Sequence, residues 1–128
     1  VRMKRLCFSF LAIMLAALSG VAWSAQHTPQ DLPLVTGEHW TTADLTQKRA
    51  FLIGIGNVLE VEQAMAGDEL AAMRGRSIVP VLLNGLSGVG LPDMVAQLDT
   101  YYSGNPEQLK RPVLEVLYIE MALPRMKR

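Results

Sequence analysis

Apolar positions along this chain form first one unbroken run and then a series of stretches at helical intervals. The run spans Leu6 to Trp23 and carries no charge. A polar stretch follows, with Gln26, His27, Thr28, Pro29, Gln30, Asp31, Pro33 and Gly37, and residues 25–41 read as a mobile arm without periodicity. From Leu45 to Met65 the residues Phe51, Ile55, Val58, Leu59 and Met65 recur at helical spacing, behind the capping pair Asp44 and Gln47 with Thr41 and Thr42 as rival caps. Gly54 and Gly56 lie inside that run. Each costs a helix up to about 1 kcal/mol relative to alanine, so the close approach of another helix is expected there.

Ala66-Gly67-Asp68-Glu69 ends or bends this helix, and Leu70 to Arg76 adds at most a further turn. Ser77 and Pro80 open a short second helix that is apolar nearly all round and expected to be the most buried. Pro92 opens a third, whose face is Leu91, Met94, Val95, Leu98, Tyr101 and Tyr102. Asn105-Pro106-Glu107-Gln108 supplies a cap, a proline at the first position and an acidic first turn for the last helix. That helix is expected to reach about Ala122, with a kink at Pro112 and a stop near Pro124. No strand-type alternation of useful length occurs. The prediction is an all-α protein, a small bundle of four to five helices over residues 42–124, with a basic tail at 125–128.

The unbroken run changes the reading of the rest. Arg2, Lys4 and Arg5 precede it and small residues follow it, the layout of a secretory signal over residues 1–24. Ala22-Trp23-Ser24 satisfies the need for small residues before Ala25, as Gly20-Val21-Ala22 does before Trp23. An uncleaved membrane anchor is the alternative, because the run approaches the roughly 17-residue minimum for a span. Export to the periplasm is the expectation.

Cleavage would remove Cys7, the single cysteine, so no disulfide is available and packing must hold the domain alone. It would also remove three basic residues, taking twelve basic residues to nine against twelve acidic, a net charge of −3. Without the tail the balance is six against twelve, which argues against nucleic acid as a partner.

Catalytic chemistry finds few groups. His27 and His39 lie in the arm, with no serine partner implied by spacing and too few ligands for a metal. Gly54-Ile55-Gly56 has no strand before it, and Gly85 to Gly90 lacks the Lys-Ser/Thr of a phosphate loop. No enzyme, cofactor or metal is predicted. Glu62 falls within the stripe made by Phe51, Ile55, Val58 and Met65, and Glu120 beside the apolar face of the last helix. A carboxylate there is costly unless paired. Arg74, Arg76, Lys110 and Arg111 are the candidate partners, unless each carboxylate faces a subunit or loop. The functional alternatives are a polar contact inside a cleft or partner interface and, less favoured, two facing carboxylates in acid–base work.

The second half is similar to the Tai/Rap family of periplasmic immunity proteins, which neutralise type VI-secreted peptidoglycan amidases. The resemblance is carried by Ser87-Gly88-Val89-Gly90-Leu91-Pro92-Asp93-Met94-Val95, Tyr101-Tyr102, Asn105-Pro106-Glu107 and Leu123-Pro124. Ala50 to Ile55 looks like the family's Cys-x-Gly-Tyr segment, with Leu52 where the family has cysteine and Ile55 where it has tyrosine. The disulfides implied for the family have no counterpart here. The resemblance implies a non-enzymatic protein that occludes an amidase cleft, with the loop from Gly67 to Arg76 as the place to look and Asp68, Glu69, Arg74 and Arg76 as its polar contacts. Glu62, singled out by its place in the apolar stripe, is the further candidate partner-binding residue. A periplasmic stress or assembly factor of chaperone type is the alternative. Self-association, as a homodimer, would help a domain that core packing alone must hold together.

Overall fold

The computed structural model describes residues 32–127. The expected signal over 1–24 and the first part of the expected arm lie outside them. The described part is all-α: α1 (Gly37–Thr42), α2 (Leu45–Ala66), α3 (Val79–Gly85), α4 (Leu91–Gly104) and α5 (Val113–Val116), joined by tighter or wider helical turns. No strand occurs among the described residues, and none of their helices is long and apolar enough to cross a membrane.

α2 starts where Asp44 and Gln47 form the expected reciprocal cap, at 2.8 and 2.9 Å. It ends at Gly67, whose φ of 48° an L side chain would resist. Gly67–Met73 then continues as a 3₁₀ turn. Ser77 holds the start of α3, its hydroxyl accepting from the Val79 N–H at 3.2 Å. Pro80, Leu82 and Gly85 of α3 are buried, and Val95, Leu98 and Tyr102 are the buried members of the α4 face. The core joins these to Trp40, Leu52, Leu59, Val113, Val116, Leu117, Met121 and Ala122. Among the described residues, no buried side-chain polar atom lacks a hydrogen-bond partner.

Four expectations are corrected. The arm does not extend to residue 41, because α1 occupies its end and Trp40, only 1% exposed, is one of the largest core side chains. The signal for α1 is tertiary. Its N-terminal amides donate to carbonyls far along the chain, Gly37 to Arg111 at 3.1 Å and Glu38 to Leu109 at 2.9 Å. The Thr36 N–H is taken up locally by His39 Nδ1 at 3.1 Å.

The last helix does not run from Asn105 with a kink. Pro106–Gln108 is one 3₁₀ turn, and the helix restarts after Pro112, whose ψ of 139° is extended. Proline disfavours helical backbone at the residue before it, so the ladder breaks there and its carbonyls turn to α1. Nor does Pro124 stop the chain: a wide π turn over Leu117–Ala122 passes into a 3₁₀ turn over Leu123–Lys127.

The glycines of α2 are not explained by close packing. A Cβ added at Gly54 or Gly56 would meet nothing within 4 Å. The close approaches lie elsewhere, at Gly37 against the Tyr102 ring and at Gly85 against the Ala122 backbone.

Gly85→Ala is therefore expected to lose about 1–3 kcal/mol through overpacking, whereas Gly54→Ala gains up to about 1 kcal/mol of helix propensity. Urea denaturation of both variants checks this. Equal effects would contradict the packing described.

Tyr102 gives a second test. Burial first, then the neighbouring Tyr101, push its phenol up to about 12 from 10.0. A phenol pKa raised by folding stabilises fully below pH 10 and loses that contribution as pH climbs towards 12. Tyr102→Phe gives up the hydroxyl's bond to the Arg111 carbonyl (3.0 Å), worth about 1 kcal/mol near neutrality. In denaturation curves at rising pH, the wild-type advantage should shrink beyond pH 10 and reverse. A constant gap would refute the assignment.

Candidate functional site

α2 has two apolar strips. Leu52 and Leu59, seven apart, point into the core. A second strip, Phe51, Gly54, Val58, Val61 and Met65, is offset from the first and spaced three, four, three and four residues. Phe51 is half-buried, but Val58 is 61%, Val61 57% and Met65 79% exposed. Against this strip lies a groove of about 430 Å³. One wall is Ala50, Gly54, Ile55 and Val58 of α2, and the other is Ile78, Val79 and Leu82, with Leu114 also lining it. Its lining is almost wholly apolar. Gly54 keeps it open, since the space above its Cα is empty.

The proposed partner-binding residues lie along the chain from the last turns of α2 to the connection into α3. Glu62 is half-buried on α2. Asp68 and Glu69 are exposed in the 3₁₀ turn, and Arg74 and Arg76 are exposed in the connection to α3. Arg76 reaches only the Ala72 carbonyl, at 3.3 Å. None of the five forms an ion pair among the described residues. The expectation that Glu62 pairs with an arginine or lysine is corrected. It needs no partner because the stripe that contains it is wider than the core contact, which leaves the carboxylate partly in water. Glu120 does pair, with Arg111 at 2.7 Å, and Glu115 shares the same guanidinium at 2.8 Å. These two acceptors, in that order Glu115 and Glu120, raise the Arg111 pKa above its ordinary value. Arg111 also donates to the Tyr101 hydroxyl at 2.6 Å. This cluster ties α4 to the segment around α5.

A second polar cluster joins α1, α2 and α4. Asp99 accepts from Trp40 Nε1 and from Lys48 Nζ, both at 2.8 Å, and Lys48 sits 5.4 Å from the Trp40 ring centre. The indole N–H is thereby satisfied at the edge of the core. Both clusters use their charges internally, and neither presents a nucleophile beside a base. The described residues contain no group of three or more His, Cys, Asp or Glu placed to hold a metal ion.

Sequence reasoning named the polar end of this surface and missed its apolar floor: Gly54, Val61 and Ile78. The available signal was the three-four spacing, displaced from the Leu52–Leu59 pair. No family model, curated protein or solved structure matches the chain.

Glu62→Gln is expected to leave stability within about 0.5 kcal/mol of wild type, as for a surface change. Asp99→Ala strands the indole N–H and frees Lys48, for a loss of about 1–3 kcal/mol. Chemical denaturation followed by tryptophan fluorescence separates the two. A large loss in the Glu62 variant would contradict its partly solvated placement.

Proposed function

We propose that this chain is an exported, non-enzymatic helical binding protein that inhibits a secreted peptidoglycan amidase. The observation that carries the binding role is the uncovered apolar face of α2 beside the groove to α3. Large contiguous apolar surface bordered by polar groups marks interaction sites in soluble proteins. The amidase as partner rests on the resemblance to the Tai/Rap immunity proteins in the capping segments around α4 and Asn105-Pro106-Glu107. The mechanism is occlusion. A helix or loop of the enzyme seats on Val58, Val61 and Met65, while Asp68, Glu69, Arg74 and Arg76 fix its orientation by charge.

The fold supports occlusion better than chemistry. Aliphatic side chains bury area on binding, and the rim supplies both charge signs for specificity. An envelope chaperone would use the same exposed face without a fixed partner, protecting many clients during acid or heat challenge.

Titration against a secreted peptidoglycan amidase encoded beside this chain tests the proposal. Stoichiometric loss of amidase activity is expected, with Val58→Asp weakening the complex at least tenfold, about 1.4 kcal/mol. Arg74→Ala with Arg76→Ala should slow association and reduce its salt dependence. Protection of unrelated clients with no effect on the amidase would replace this reading with the chaperone one.

A further inference from the structure

We propose that the second strip of α2 is a self-complementary seam that pairs with a second copy of this chain in antiparallel register. Spacing of three and four in alternation is the repeat by which two helices keep one face in contact over several turns. Phe51, Gly54, Val58, Val61 and Met65 hold that repeat over two heptads. Phe51, at the head of the strip, is half-buried and packs edge-on against Trp40 at the margin of the core, while Val58, Val61 and Met65 remain exposed after folding.

The residue sizes choose the direction. In antiparallel pairing Gly54 of one copy faces Val58 of the other, and Phe51 faces Val61. Large side chains then meet small ones, and the open space above Gly54 is filled. Parallel pairing would stack glycine on glycine and leave a void at the centre. Antiparallel helices also oppose their dipoles favourably.

Charge permits the contact. Glu62 is the single ionisable side chain among the positions flanking the seam, Ala50, Ile55, Asn57, Glu62 and Ala64. In the antiparallel register it lies level with Ala50 of the other copy, so the two carboxylates stay apart.

The contact is short. The seam runs from Phe51 to Met65, about 21 Å at about 1.5 Å per residue, so the dimer is a weak one that an enzyme partner can displace from the same face. The dimer does not depend on the inhibitory role, although it uses the surface that role requires.

Sedimentation equilibrium of the purified protein over the micromolar range tests this, with circular-dichroism melting to confirm folding of each variant. A reversible monomer–dimer equilibrium is expected. Val58→Asp should weaken it at least tenfold, because it sets a charge in the middle of the contact. Gly54→Leu should do the same by filling the hole, while its melting temperature stays at or above wild type. A protein that remains monomeric at high micromolar concentration overturns the proposal, as does a dimer that neither variant weakens. Amidase binding by such a monomer would leave the inhibitory reading standing. A dimer sensitive to both variants in a protein that binds no amidase would do the reverse.

Discussion

Pro112 interrupts the last helical stretch, and the carbonyls exposed by that interruption at Leu109 and Arg111 accept the N–H groups of Glu38 and Gly37. The first short helix could not stand alone at six residues, since isolated helices of that length do not pay for their nucleation. Held by these bonds, it delivers Trp40 to the core and sets Gly37 against the Tyr102 ring. Tyr102 in turn donates to the Arg111 carbonyl at 3.0 Å, so one broken segment holds both α1 and the end of α4. A return bond from the Val113 N–H to the Val35 carbonyl, at 2.8 Å, closes the arrangement.

The second consequence is a division of labour along α2. Leu52 and Leu59 face the core, and Lys48 with Asp99 secures the first turns to α4. Beyond that anchoring, the helix offers Val58, Val61 and Met65 outward. Exposure of three large aliphatic side chains in register has an energetic cost that ordinary surface positions avoid, because each would gain about 1 kcal/mol or more on burial. Gly54 fits the same logic: it weakens the helix locally and leaves room where a neighbouring backbone can approach.

The all-α class was legible in the sequence because caps, prolines and periodicity agreed at the starts of α2, α3 and α4. The first helix was not, since its amides are satisfied by carbonyls far along the chain and its segment is polar apart from Trp40. The break at Pro112 was visible as a proline but not as a docking surface, because the partner of a freed carbonyl is a tertiary fact. The candidate site was legible at its charged end, where Asp68, Glu69, Arg74 and Arg76 stand out between helices. Its apolar floor was hidden by the same periodicity that announces a core. Val58 and Met65 have the spacing of buried residues, and only the packing of α3 decides which side of a wide stripe stays open. Glu62 followed from that ambiguity.

The central claim is that the α2 face, and not the polar clusters around Asp99 and Arg111, is the binding surface proposed above. Methyl NMR of the protein titrated with the proposed amidase partner tests it most directly. The account predicts shifts and broadening at Val58, Val61 and Met65 and at Ile78 across the groove, with Val113 and Val116 in the core unmoved. Binding that perturbs methyls beside Arg111 and Glu120 while leaving Val58 and Val61 unchanged would contradict it.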